Sequence, residues 1–238
     1  MRQVRGDWVK LYHGAERIIK QPVWGEGCIF NDFGQGFYCS LDKEVTKEWA
    51  CQNKSNGFVS EFNIEINGEG INFLDLNNGD YNILNWMAIV LENRQFRING
   101  EDAINARKYI LNNFYVDYWK CDIVKGYRAD DSYFAITSAF LNNEISLDNF
   151  FRSMNLGKSG IQVVLRTKKA YDLMEFKSAT FANKEIYYPK KLGRDMKFRN
   201  AFRDNIEKGK PEVKIYVNDL VEKGWTDNDA CLQRYILG

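Results

Sequence analysis

The sequence predicts an α+β fold in which short strands and amphipathic helices follow one another along the chain. Some segments alternate apolar and polar residues, which is the period of a half-buried strand, and longer ones repeat apolar residues every three or four positions, as helices do. Of the 238 residues, 45% are apolar and 15% aromatic. Such a chain can bury a sizeable core as one large domain, with or without an appendage.

The N-terminal quarter predicts two strands, a helix and a third strand. VKLYHG is a short strand that ends in a glycine, and the loop in IFNDFGQGFYCSLD leads into a second strand. From Leu41 the period becomes helical, with Val45 and Trp49 in the apolar stripe and Asp42 as the expected N-cap. The alternation in FVSEFNIEI then predicts the third strand.

The middle of the chain predicts mainly helix. Spacings of three and four run through YNILNWMAIVLENR and EDAINARKYILNNFYVDYW, and CDIVKGY is a short strand after them. SAFLNNEISLDNFFRSMNLG returns to helix, with Ser146 or Asp148 capping its second piece and Gly157 ending it. IQVVLRT then predicts a buried strand, and YDLMEFKSATF predicts another.

A change of composition divides the chain near its end. We expect residues 1–183 to form the main domain and residues 184–238 to form a helical extension that packs on this domain or on a partner. The segment from Lys190 to Arg203 is basic. Such a run is most often a solvated helix face, and the alternatives are contact with a nucleic acid or with a protein such as an antitoxin.

Overall composition limits the partners and the location. The 33 basic and 32 acidic residues leave a formal net charge of +1, so no global field directs the chain to nucleic acid or to an anionic membrane. No apolar run is long enough for a signal peptide or a bilayer span. The five cysteines form no CxxC pair, which points away from a disulfide framework and a zinc site. We therefore expect a cytoplasmic protein with no metal and no membrane partner.

The one histidine narrows the chemistry. His13 stands in LYHG between an apolar pair and a glycine, where a buried histidine with satisfied hydrogen bonds is the commonest outcome. Any hydrolase triad with a histidine would have to use it, and no GxSxG elbow accompanies it. The chain also has no GxxxxGK[ST] loop and no GxGxxG that opens a helix.

LYHG and the later FGQGFYCSLDKEVTKEWA together carry a resemblance. His13-Gly14, the Gly-x-Gly-x-Tyr segment that ends at Tyr38, and the helix through Trp49 resemble the ADP-ribosyltransferase superfamily of the His-Tyr-Glu type, which includes the poly(ADP-ribose) polymerases and diphtheria toxin. YHG, DFGQGFY, WA, GYRADDSYF and GIQVVLRTKKAYDLMEF more closely resemble a family called DUF3990, over roughly residues 8 to 178.

The resemblance implies an ADP-ribosyltransferase-like split antiparallel β-sheet that forms an NAD cleft, with helices around it. It implies NAD as the substrate and no metal. His13 would bond a hydroxyl of the adenosine ribose, the Gly14 backbone would hold the nicotinamide carboxamide, and Tyr38 would stack on the nicotinamide ring. Gly36 belongs to the same NAD-binding set, and Arg17 is a candidate for the pyrophosphate.

The third position of the triad departs from the pattern. Enzymes of the His-Tyr-Glu type carry a glutamate on a late strand, whereas this strand carries Gln162. An amide accepts a hydrogen bond but supplies no charge, which in a desolvated site costs on the order of 10²-fold in rate. Asp130 and Asp131 are candidates for an auxiliary carboxylate. Their alternative role is to cap and begin a helix.

The activity implied by the resemblance is mono-ADP-ribosylation of a macromolecule: a protein, DNA or RNA. Bacterial relatives with the expected fold often serve as toxins, for which an antitoxin is a candidate partner. Two alternatives remain open at this point. The chain is a non-catalytic module that binds NAD, ADP-ribose or another ligand, or it is an NAD glycohydrolase in which water replaces the acceptor.

Overall fold

The structure is a computed structural model that describes residues 8–66, 68–129, 131–156, 160–208 and 214–238. Its strands are β1 Trp8–Ala15, β2 Phe37–Ser40, β3 Gly57–Glu65, β4 Phe73–Asp75, β5 Ile123–Tyr127, β6 Ile161–Leu165 and β7 Glu175–Ala182. Its α-helices are α1 Lys43–Ala50, α2 Ile83–Asn93, α3 Gly100–Asn113, α4 Asp131–Leu141, α5 Leu147–Leu156, α6 Lys168–Asp172, α7 Lys184–Lys208 and α8 Val217–Lys223. Short 3₁₀-helices occupy Tyr118–Lys120 and Ala230–Tyr235.

The α+β class is confirmed, and the sheet, which was expected to be antiparallel, is mixed. The strands form one seven-stranded sheet in the order β4-β5-β6-β2-β1-β3-β7. Its neighbours are antiparallel except for β4 and β5, which are parallel. The sequence did not predict β4, because three residues are too few to show an alternation. The chain returns from β4 to β5 through α2 and α3, and such a long crossover allows parallel pairing.

The centre of the sheet is its least paired junction. β1 pairs with β3 at eight positions and β2 pairs with β6 at four, whereas β1 and β2 share the single pair Tyr12 and Ser40. Next to this pair, the imidazole of His13 bonds the main-chain oxygen of Tyr38. A side chain thus joins the two strands where the ladder between them stops.

Local capping signals placed the starts of α1 and α5 correctly. Asp42 caps α1 as expected, since its carboxylate accepts the N–H groups of Glu44 and Val45 at 2.8 and 3.1 Å. At the start of α5, the hydroxyl of Ser146 accepts the N–H of Asn149 at 3.3 Å. Ser146 is therefore the capping side chain of the two proposed. Gly157, the expected end of this helix, lies outside the described residues.

Two predicted elements end or begin elsewhere. The helix predicted through EDAINARKYILNNFYVDYW stops at Asn113, because Phe114 and Tyr118 are fully buried in the core and the chain turns to place them. The last predicted strand begins at Glu175, since Lys168–Asp172 form α6, whose first turn is capped by the Thr167 hydroxyl.

Residues 184–208 and 214–238 are packed on the rest of the molecule. α7 contacts α1, α4 and α5. The largest hydrophobic cluster joins the buried residues of α2 to apolar side chains from this C-terminal part, which are Phe198, Ile215, Val217, Leu220, Leu232, Tyr235 and Leu237. Among the described helices, none is long and apolar enough to cross a membrane.

Candidate functional site

A cleft of about 790 Å³ opens at the junction of β1 and β2. A volume of this size is typical of small-molecule and cofactor sites. The end of β1, the loop from residue 16 to 36, β2, α1, β6 and α7 all contribute to its wall. The structure brings six of the predicted site residues together in this wall: His13, Gly14, Arg17, Gly36, Tyr38 and Gln162.

His13 is held as a neutral hydrogen-bond acceptor. Its Nδ1 lies 2.8 Å from the main-chain oxygen of Tyr38, which can only accept, so Nδ1 carries the proton. The ring stacks on Phe37 with centroids 4.1 Å apart and planes 25° apart. Burial lowers the pKa of the imidazole. His13 therefore stays uncharged at neutral pH and offers the lone pair of Nε2 to a donor.

Tyr38 is fixed by its hydroxyl group. The hydroxyl donates to the main-chain oxygen of Gly34 at 2.6 Å and accepts the N–H of Phe33 at 3.0 Å. Burial raises the pKa of the phenol far above neutral. The group is thus unsuited to proton transfer at neutral pH, and both hydroxyl bonds tie the ring to the loop that precedes β2.

Gly14 and Gly36 are required by the packing of the protein itself. A Cβ atom on Gly14 would lie 2.7 Å from the main-chain oxygen of Thr46 in α1. A Cβ atom on Gly36 would lie 2.6 Å from the main-chain oxygen of Leu165 in β6. The close approach of β1 to α1 therefore requires glycine at position 14 even without a ligand.

Gln162 is buried beside an aspartate that the sequence analysis did not single out. It sits on β6 opposite Ser40 of β2 and is 3% exposed. Its Nε2 donates to Asp32 Oδ2 at 3.0 Å and to the main-chain oxygen of Tyr127 at 3.4 Å. The same Asp32 oxygen accepts the N–H of Ala129 at 2.9 Å. A carboxylate thus stands directly behind the amide that replaces the expected glutamate.

Asp32 is a buried charge that is only partly compensated. It is 4% exposed, and no described residue forms a hydrogen bond with its Oδ1, although Arg94 Nη1 lies 3.6 Å away. Burial raises the pKa of the carboxyl group, and the bond from Gln162, the charges of Arg94 and Arg128, and the Ala129 N–H oppose this shift. Perturbed carboxyl groups of this kind concentrate at functional sites.

The predicted auxiliary acids have no described side chain at the site. Asp130 lies outside the described residues, and Asp131 is the first residue of α4, with its side chain also outside them. Asp32 stands in the quoted motif DFGQGFY, so its signal was present in the sequence. Nothing in the sequence, however, places residue 32 beside residue 162.

The wall of the cleft is positively charged. Its charged side chains comprise six basic and three acidic residues, namely Arg17, Lys20, Arg94, Arg128, Lys191 and Arg194 against Glu26, Asp32 and Asp195. The guanidinium of Arg128 lies 4.0 Å from the ring centre of Trp49 in α1. Lys191, Arg194 and Asp195 belong to α7, so the part of the chain predicted to be an extension contributes to the site. The excess of positive charge favours an anionic ligand.

Comparison with known proteins gives one result. No curated protein and no solved structure matches the chain. The model of a family described as "Protein of unknown function (DUF3990)" matches residues 9–176. This range contains the cleft residues of β1, β2, α1 and β6, but it ends before α7. Because the match covers more than half of the 238 residues, the chain belongs to the DUF3990 family.

Proposed function

We propose that the cleft binds NAD and transfers its ADP-ribose to a macromolecular acceptor. The observation that carries the proposal is the convergence of three residues on adjacent strands. His13 on β1, Tyr38 on β2 and Gln162 on β6 line one cleft, in the order that the resemblance to the His-Tyr-Glu enzymes requires. The three residues are separated by up to 149 positions in the chain (162 − 13 = 149), and the pairing of β2 with β1 and β6 brings them together.

The charge of the cleft supports a ligand with a pyrophosphate. Six basic side chains surround it, and Arg17 is exposed at its wall. Guanidinium groups bond phosphate oxygens in pairs and retain their charge at any physiological pH. We place the pyrophosphate of NAD against this basic wall, with Arg17 as its first candidate partner.

The reaction needs a rigid grip more than strong acids or bases. The bond between C1′ of the ribose and the nicotinamide nitrogen breaks, and its electron pair leaves with nicotinamide. The sugar develops oxocarbenium character, a nucleophile of the acceptor bonds to C1′, and the proton of that nucleophile is released. A site that holds NAD in one geometry and tolerates a cationic sugar accelerates these steps.

Each residue has a role that suits its bonding. The Nε2 atom of His13 accepts a hydrogen bond from a hydroxyl group of the adenosine ribose, because Nδ1 already donates to the main-chain oxygen of Tyr38. The ring of Tyr38, whose hydroxyl is engaged behind it, stacks on nicotinamide through its apolar face. The backbone of Gly14 holds the nicotinamide carboxamide, and Gly36 belongs to the same NAD-binding wall. Gln162 accepts a hydrogen bond from a hydroxyl group of the nicotinamide ribose.

NAD binding and nicotinamide release by the purified protein test the proposal. Wild type is compared with His13→Ala and Tyr38→Ala, and Trp8→Ala serves as the control because Trp8 is an exposed aromatic residue of the same β1 strand outside the cleft wall. We expect the two cleft variants to lose binding and release while the control retains both. Wild-type protein that neither binds NAD nor releases nicotinamide would refute the proposal.

Non-catalytic binding of NAD or ADP-ribose is the second candidate function. The neutral Gln162 favours it, because a binding site needs no charge against a cationic sugar. Binding without nicotinamide release would select it. Release without label on any macromolecule would select NAD glycohydrolysis, and a growth defect on expression in bacteria would support a toxic role.

A further inference from the structure

On the basis of the proposed function, we infer that Asp32 and Gln162 act as one unit in place of the glutamate of the His-Tyr-Glu enzymes. Asp32 is a positioning residue: it holds the amide of Gln162 as an acceptor for the ribose hydroxyl and supplies negative charge from behind. The combination provides the acceptor and the charge that a single glutamate provides in the His-Tyr-Glu enzymes.

The hydrogen bonds of Gln162 fix the orientation of its side-chain amide. Gln162 Nε2 donates to one oxygen of the Asp32 carboxylate and to the main-chain oxygen of Tyr127. The reversed amide would press its oxygen against these two acceptors. The NH₂ group is therefore committed, and the amide oxygen is the end that remains to accept a proton from a ligand.

Asp32 is held rigidly by the contacts of its neighbour Phe33. The neighbouring Phe33 is fully buried, and its ring fills the space where a Cβ on Gly126 would lie, 2.8 Å away. The N–H of Phe33 is bonded by the Tyr38 hydroxyl. These contacts fix the backbone next to Asp32, so the carboxylate does not have to be ordered when substrate binds.

Positioning the amide of Gln162 does not by itself need a charge on Asp32. One oxygen of Asp32, Oδ2, accepts both the Gln162 and the Ala129 hydrogens. The single oxygen of an asparagine could make the same two bonds. The second carboxylate oxygen is buried and receives no hydrogen bond from the described part of the chain, an arrangement that costs stability. Negative charge at this point is explained by the cation that develops on the ribose.

The arginine beside Asp32 does not cancel this role. Arg94 lies 3.6 Å from Oδ1, but the same guanidinium also donates to the main-chain oxygen of Phe30 at 2.9 Å and lies 4.3 Å from the ring centre of Phe134. An opposite charge at this distance helps a buried carboxyl group to ionise. Arg94 thereby opposes the rise in the pKa of Asp32 that burial causes.

Asp32→Asn separates charge from position, because it retains an oxygen for both bonds. We expect kcat for nicotinamide release to fall by about 10²-fold, the size of an electrostatic contribution removed from a desolvated site. The Kd for NAD should change by less than about threefold, since charge that acts only on the transition state does not alter ground-state binding. Asp32→Ala, which loses both functions, should lower kcat further and weaken NAD binding as well.

The pH dependence of the two enzymes distinguishes electrostatic from structural roles. Among the described residues, the charged and titratable groups that face Asp32 are Arg94 after α2, Arg128 after β5 and Tyr38 of β2. Guanidinium groups keep their charge over the physiological pH range, and burial raises the pKa of the Tyr38 phenol. The ratio of wild-type to Asp32→Asn kcat should therefore grow as pH rises through the raised pKa of Asp32. A constant ratio would indicate a structural role only.

A second arm approaches the pair from the other side. Gln162→Met leaves Asp32 in place but removes the acceptor, and we expect a loss of kcat similar to that of Asp32→Asn. The double variant should be little worse than either single variant, because groups that act as a unit are not additive. Wild-type protein without activity on NAD refutes the proposed function. Active wild type with an equally active Asp32→Asn or Gln162→Met variant refutes only the pair.

Discussion

The Nδ1–H of His13 donates to the main-chain oxygen of Tyr38 over 2.8 Å, directly beside the single residue pair that joins β1 to β2. The bond couples two residues that we assign to opposite ends of NAD. It also fixes the tautomer of the imidazole. A ligand that bonds His13 Nε2 therefore stabilises the junction of the two strands, and the stability of the protein should respond to His13 and Tyr38 together.

The protein should lose stability as the pH falls below the ordinary pKa of histidine. Burial lowers the pKa of His13 in the folded protein below 6.5, so acid protonates the unfolded chain first and stability is lost as pH falls from 6.5 toward the folded value. We expect His13→Gln to remove this part of the acid sensitivity. Melting temperatures between about pH 8 and about pH 5 measure it. Parallel curves for wild type and variant would contradict the assignment of a neutral, buried imidazole.

Tyr38→Phe should separate the ring from the hydroxyl. The variant loses the bonds to Gly34 and Phe33 but retains the stacking face. We expect the free energy of unfolding to drop by about 1–3 kcal/mol, as for unmatched buried hydrogen-bonding groups, while NAD affinity changes little. Denaturant unfolding and calorimetric NAD binding measure the two effects. A loss of NAD binding in a folded Tyr38→Phe variant would mean that the hydroxyl contacts the ligand.

Gly14→Ala should destabilise the protein without any ligand present. Its Cβ would meet the main-chain oxygen of Thr46 at 2.7 Å, and we expect a cost of about 1–3 kcal/mol from overpacking. Gly193→Ala is the matched control, since Gly193 lies within α7 with nothing near its Cβ position. There, alanine should stabilise the helix by about 0.5–1 kcal/mol. Chemical denaturation compares the two.

Asp32→Asn should raise stability at neutral pH while it lowers activity. Because burial raises the pKa of Asp32 in the folded state, stability is highest when the carboxyl is protonated and declines as pH rises through the folded pKa. Asparagine avoids the decline. The melting temperature of the variant relative to wild type should therefore increase from about pH 4 to about pH 7. A variant that is less stable at every pH would indicate that the ion pair with Arg94 outweighs burial.

Short-range physics made most of the fold predictable. Asp42 caps α1 because its carboxylate reaches N–H groups two and three residues ahead, and the strand in VKLYHG follows from its own pattern. β4 was missed because Phe73–Asp75 owes its strand conformation to pairing with β5, almost 50 residues later. The parallel part of the sheet depends on that one contact.

The site was predictable to the extent that each residue belongs to a motif. His13, Tyr38 and Gln162 were identified in this way, and all three line the cleft. The bond between Asp32 and Gln162 spans 130 positions, and no local pattern specifies it. The acids predicted from the sequence, Asp130 and Asp131, have side chains outside the described residues, and the described fold places Asp32 beside Gln162.

Helix α7 adds positive charge to the cleft although it lies outside the range of the family match. The match stops at residue 176, yet Lys191 and Arg194 reach back from α7 to the cleft wall. A chain shortened at the family boundary would lose these cations and also the cover that Phe198 and Leu220 give to the core. Members of the family that share the cleft motifs but carry a different C-terminal helix should therefore diverge in ligand preference, with the helix as the variable part of a common scaffold.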